Sequence, residues 1–174
     1  MTETTTATAA APAATDTPPQ ADLLRRLEAE LLAMPPVAAL GLRIAHADGD
    51  RLCLHAPLAA NINDKGCAFG GSLTSLMTLA GWSLLTLRLL QVGVDADVYV
   101  ADSEVNYRAP LFDDLRADAR PAADAAGGGG LDAFVDAVAR QGRGELRVDA
   151  EVRCADGTLA CRSGSRFVAK RRGC

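Results

Sequence analysis

The chain has 174 residues, 49% of them apolar and only 4% aromatic, with a formal net charge of −4. That length suits one domain with an appendage, and a core built from Ala, Leu and Val. The mild negative charge speaks against a nucleic-acid surface, since the sole dense basic cluster is Lys170-Arg171-Arg172 at the tail.

Residues 1–20 are Thr, Ala and Pro with a few acids, a composition that cannot bury enough apolar surface to order itself. The domain is therefore expected over 21–174. No arginine precedes Arg25 and no apolar signal core is present, so a cytoplasmic location is expected. Leu23, Leu24, Leu27, Leu31 and Leu32 recur at helical spacing from Asp22, and Pro35-Pro36 are read as the stop. Alternating segments at Leu42–His46 and Arg51–His55 flank Asp48-Gly49-Asp50, which reads as a hairpin with Asp-Gly at its turn.

A loop at 58–69 leads into a helix expected over 70–90, apolar almost all round and therefore buried on most faces. Thr74, Ser75, Thr78, Trp82, Ser83, Thr86 and Arg88 break it short of the roughly 18 uninterrupted apolar residues of a membrane span. No membrane partner is expected, and Trp82 is expected to be mostly buried. Strands follow at 98–107, 114–121, 145–154 and 158–170, the last two around Ala155-Asp156-Gly157. Gly127–Gly130 read as a flexible connector, lacking the Lys-Ser/Thr of a phosphate loop, and 131–138 as a short helix. The order implies an α+β domain in which antiparallel strands wrap one long helix and leave a sheet edge open for self-association.

Little of the usual chemistry is on offer. The five cysteines, Cys53, Cys67, Cys154, Cys161 and Cys174, form neither a disulfide framework nor a zinc motif. His46 and His55 read as ordinary strand residues. No metal and no cofactor are expected. What stands out is Gly70-Gly71 in front of the long helix. Amides in a first helical turn have no partner inside the helix and carry the positive end of its dipole. Without side chains, they are open to a carbonyl oxygen and to the oxyanion formed when a nucleophile adds to it. The opposed reading is close packing, or a plain helix start with Ser72 near the cap.

The flanks favour the first reading. Asn63-x-x-Gly66-x-x-Phe69-Gly70-Gly71 resembles the Asn-x-x-Gly-x-x-His-Gly-Gly motif of phenylacetyl-CoA-type hotdog thioesterases. Residues 35–170 more closely resemble the thioesterase family named for the C-terminal domain of YiiD. The shared elements are Asn63, Lys65-Gly66, Phe69-Gly70-Gly71-Ser72, Gly81-Trp82, Asn106–Pro110 and Gly164–Ala169.

The resemblance implies the hotdog fold, a homodimer or tetramer, and an acyl-CoA or acyl-carrier-protein thioester bound where two subunits meet. With it, the catalytic candidates are Asn63, Gly70 and Gly71 from the motif and Asp64 from the same loop, and the substrate-binding candidates are Phe69, Ser72, Thr78 and Tyr107. Two departures stand against a direct transfer of mechanism. Phe69 replaces the motif's histidine, and Thr78 occupies the position of the helix carboxylate, with no acid anywhere from Phe69 to Leu90. Asp64, then Asp102 and Glu104, are the candidate bases, and Cys67 is a weak candidate nucleophile without a base. Thioester hydrolysis is the expected activity. The rivals are a non-catalytic acyl-CoA binder and, last, a hydratase, which would need a histidine in the loop.

Overall fold

The computed structural model describes residues 19–123 and 130–173. The stretch 1–18, and Gly127, Gly128 and Gly129 of the expected connector, lie outside them.

Helix α1 (Gln20–Leu32) buries Leu23, Leu27 and Leu31 along one stripe. The double proline does not simply stop the chain. It opens a second short helix, α2 (Pro35–Ala38), because proline's fixed φ suits the first helical positions, where its missing N–H costs nothing. The hairpin β1 (Arg43–Asp48) and β2 (Arg51–Ala56) turns at Gly49, whose φ of 51° supplies the left-handed step.

Helix α3 (Gly70–Gln91) is long and apolar enough to cross a membrane, which its interrupting polar residues had seemed to preclude. It is instead the core helix of the domain. Leu73, Leu76, Met77, Leu84, Leu85 and Leu89 are buried against the sheet and α1. Burying each such side chain contributes roughly 1.5–3 kcal/mol. The helix ends where Gly93, at φ 71°, lets its N–H reach Leu90 O while Val94 N–H reaches Leu89 O. That pair of bonds satisfies the last carbonyls.

The chain then crosses to the far edge of the sheet as β3 (Ala96–Tyr107). It returns through β4 (Leu115–Pro121), α4 (Gly130–Gln141), β5 (Arg143–Arg153) and β6 (Leu159–Arg171). The strand order is β1-β2-β4-β5-β6-β3, every pair antiparallel. Strand β5 alternates cleanly, with Leu146, Val148, Ala150 and Val152 turned to the core and Arg147, Asp149 and Glu151 turned out. A sheet curved round one helix is the hotdog arrangement. The cover is fuller than a single helix, since α1 packs on α3 and α4 packs on β5.

Two motif elements find their reason here. A side chain at Gly81 would begin 2.8 Å from the ring of Phe167, so Gly81 and Phe167 together let the sheet close on the helix. Trp82 is largely buried, packed against the core, and its Nε1 donates to Val98 O at 3.1 Å, tying α3 to β3. Strand β3 is an edge, with Tyr99 and Val100 exposed.

Candidate active site

The loop before α3 is held by side chains that bond to its own backbone. Asn61 is buried, and its Nδ2 donates to Leu40 O and Pro57 O, both at 2.9 Å. Its backbone carbonyl accepts the Phe69 N–H at 2.7 Å, so one residue ties the start of the loop to its end. Asp114 takes the Leu58 N–H at 2.9 Å and faces His55 Nε2 at 3.1 Å. These contacts, the Leu58 N–H first, hold its carboxyl below the usual range. Asn63 Oδ1 accepts the N–H groups of Lys65 and Cys67, while its Nδ2 donates to Cys67 Sγ and Ala68 O.

Ala68 N–H bonds across to Leu111 O, and Phe69 then takes an extended φ and ψ of −68° and 129° before the helix begins. The first N–H bonded within the helix is Leu73, to Phe69 O. The amides of Gly70, Gly71 and Ser72 have no hydrogen-bond partner among the described residues, and no side chain caps the helix. Ser72 is buried in that first turn and is not a cap. Three unpaired N–H groups thus stand at the positive end of a 22-residue helix.

The space above the glycines holds rings from the chain itself. A Cβ at Gly71 would overlap the ring of Phe69, and a Cβ at Gly70 would lie 3.3 Å from Tyr107 Cε1. Both rings are more than half exposed. Tyr107 Oη donates to Gly70 O at 3.1 Å and lies 2.6 Å from Thr74 Oγ1. Beside them is an opening of about 360 Å³ lined by Gly70, Leu73, Tyr107, Arg108 and Pro110. Larger hollows, of about 410 and 520 Å³, lie on the charged outer face of the sheet, across it from the helix. Neither touches the glycines, so the smaller opening is the one that matters for the helix mouth.

Comparison with known proteins bears on the family and the fold. A family model described as "Putative thioesterase (yiiD_Cterm)" matches residues 24–171. The chain belongs to this YiiD_C family. The protein is also similar in structure to a putative thioesterase from Shewanella oneidensis. The two share 25% identity and a TM-score of 0.75 over 86% of this chain and 99% of that one. A protein of unknown function from Chlorobaculum tepidum shares 24% identity and a TM-score of 0.76, over 88% and 97% of the two chains. A thioesterase from Haemophilus influenzae shares the fold at 19% identity and a TM-score of 0.64, over 85% and 90%.

In this YiiD_C chain the candidate residues separate into groups. Gly70, Gly71, Phe69 and Tyr107 meet at the helix mouth. Asn63 lies in the loop with both polar ends bonded to that loop. Asp64 turns to solvent, its side chain 79% exposed and paired with Lys65 Nζ at 2.9 Å. Cys67 is buried on Asn63. Asp102 pairs with Arg166 at 2.6 Å, and exposed Glu104 accepts from Asn106, so both lie on the outer face. Thr78 is partly buried, one turn from Thr74 and one from Trp82, on the side of α3 that meets β3. Among the described residues no cluster of His, Cys, Asp and Glu is built to hold a metal. Thr74 and Asn61 were missed in the sequence. The i, i+4 spacing of Gly70, Thr74 and Thr78 was the available signal for the first. Asn61 stands beside Asn63 and Asp64 in the loop, but its anchoring role had no signal, because its partners are the backbone carbonyls of Pro57 and of Leu40, 21 residues earlier.

Proposed function

We infer that this protein hydrolyses an acyl-CoA or acyl-carrier-protein thioester at the mouth of α3. The observation that carries the reading is the set of unpaired amides of Gly70, Gly71 and Ser72 beside an opening in a thioesterase-family fold. The thioester oxygen docks on the Gly70 and Gly71 N–H groups. Water oxygen then bonds to the carbonyl carbon, the oxyanion is held by those amides, and the C–S bond breaks to release acid and thiol. Preorganised donors of this kind are worth roughly 10²–10³ in rate each. Phe69, Ser72, Thr78 and Tyr107 line the acyl side, and Asn63 and Asp64 shape and flank the entrance. A second copy of the chain pairs along the exposed edge β3, giving a dimer that closes the site, with a tetramer as a further step.

A second reading, acyl-thioester binding without turnover, is favoured by one feature: α3 carries no carboxylate and the loop's acid is paired with Lys65. Free-thiol release from acyl-CoA and acyl-carrier-protein panels, run beside calorimetric binding, separates the two. Hydrolysis predicts release; tight binding with no release establishes the binder. Light scattering that finds only monomer at micromolar concentration overturns the dimer.

A further inference from the structure

The strand end that brings Tyr107 to the helix mouth brings a charge with it. Arg108 lines the opening that contains Gly70, and it alone among the lining residues is charged. Its backbone is pinned on both sides. The Arg108 and Ala109 N–H groups donate to Ala160 O at 2.8 and 3.1 Å, and Leu111 O takes the Ala68 N–H at 2.8 Å. Sheet and loop together therefore fix this cation at the rim.

A second guanidinium stands beside it. Arg162 of β6 is the register partner of Asn106, two residues before Arg108, and residues two apart on a strand share a face. Arg108 and Arg162 are thus diagonal neighbours, with Cβ atoms roughly 7 Å apart. Both are exposed, and neither is paired with a carboxylate among the described residues. The acids beside them are engaged. Glu151, opposite Arg162 on β5, holds Arg153 at 2.8 Å, and Glu104 accepts from Asn106 at 3.2 Å. Arg166, further along β6, shows the matched case, closed by Asp102 at 2.6 Å and Glu145 at 3.4 Å.

Two unmatched guanidiniums suit an anion, above all a phosphate, whose oxygens accept bidentate N–H bonds. In a thioester carried on pantetheine, about thirteen bonds separate the sulfur from the first phosphorus. That is ~16 Å when extended, at roughly 1.2 Å per bond. Arg108 shares an opening with Gly70, and Arg162 is ~7 Å further on, so both fall within that span.

We propose that Arg108 and Arg162 form a phosphate site for the carrier arm, gripping the phosphate that ends the pantetheine of CoA or of a carrier protein. The inference rests on docking of the thioester oxygen at the α3 amides. The acyl hydrocarbon, which gains nothing from guanidiniums, leads away from this rim.

The test uses the full chain with hexanoyl thioesters of pantetheine, 4′-phosphopantetheine, CoA and an acyl carrier protein. Thiol release and calorimetric binding are followed at low and high salt. The first phosphate is expected to raise kcat/KM or affinity about tenfold over the pantetheine ester, and by less at high salt. Arg108→Gln and Arg162→Gln should each cut that gain to about threefold, and the double variant to about one. Lysine at both positions should restore part of it. Arg26→Gln, which removes an exposed cation on α1, should keep it whole, all variants remaining folded by circular dichroism. Loss of affinity in the double variant for the CoA ester or for the carrier protein supports the site and tells which source supplies the phosphate. If the gain appears in binding but no thiol is released, hydrolysis fails and the inference stands. With thiol released, the inference alone is overturned by equal use of the pantetheine and phosphopantetheine esters, by a gain that survives the double variant, or by an equal loss in Arg26→Gln. Binding of none of the four esters overturns both.

Discussion

Helix α3 carries glycines at its start and in its middle, and in both places an aromatic ring lies where a side chain would be. At Gly81 the ring is Phe167, 1% exposed and backed by Val148, so the glycine exists for close packing of helix on sheet. At Gly71 the ring is Phe69, 56% exposed and free to swing into solvent. One residue type on one helix thus does two jobs, and the mobility of the neighbouring ring tells them apart. Packing glycines face a ring that cannot leave. Site glycines face one that can.

The sharpest way to break this comparison is to fill both positions with the same residue. Gly81→Val drives methyl groups into Phe167 and Val148, neither of which has free space. We expect a loss of about 3 kcal/mol, at the upper end for overpacking, and a fall in Tm of roughly 6–12 °C. A second change, Phe167→Leu, should recover part of that loss through direct coupling. A Gly81→Val protein as stable as the parent would mean the ring is not held as described.

Gly71→Val should do the opposite. Phe69 rotates outward, the helix start keeps its fold at a cost of about 1 kcal/mol or less, and turnover drops about 10²-fold because the amide is no longer approachable. Stability by thermal melting and thiol release measured on one preparation give both numbers. If stability falls as far as in Gly81→Val, the two glycines are alike and the distinction fails.

The distinction was only half legible in the sequence. Hydrophobic period marked α3, and alternation marked β1, β2 and the later strands, because those signals are local. Resemblance in Phe69-Gly70-Gly71 and Gly81-Trp82 pointed to the hotdog arrangement. That Tyr107 would sit on Gly70 was not legible, since the ring arrives from a strand 37 residues further on. Pro35 and Pro36 do follow the end of α1, as the sequence suggests, but that they also open α2 was not legible, since proline breaks a helix interior yet suits a first turn.

The loop offers a middle case, in which site geometry depends on a buried residue. Asn61→Ala removes two hydrogen bonds to carbonyls and leaves Leu40 O without a donor, while Pro57 O keeps the Ala60 N–H, a cost of about 2 kcal/mol. The backbone carbonyl of Asn61, which holds the Phe69 N–H, stays in the variant but loses its side-chain anchor, so turnover should fall by several-fold alongside the melting temperature. Asn61→Asp, which keeps the shape but replaces the donating amide with an acceptor, should be no better than alanine. If it were, the shape of the side chain rather than its donor bonds would be what the loop needs.

The smallest effect is expected at Asp64, and it bears directly on the chemistry. A general base must reach the attacking water and gains from a sheltered setting. Asp64 instead stands 79% exposed and paired with Lys65, while the amides at the helix start are fixed by the fold. If polarisation by those amides supplies most of the rate, Asp64→Asn keeps turnover within about threefold of the parent. It should also leave acyl-CoA affinity unchanged, since the substituted amide has the same shape. Lys65→Ala, which frees the carboxylate without touching it, should be equally mild. A tenfold or greater loss in Asp64→Asn with affinity intact would make this acid the base, and would require the entrance loop to turn it inward when substrate is bound. Wild-type rates in both variants would place the burden of catalysis on the Gly70 and Gly71 amides.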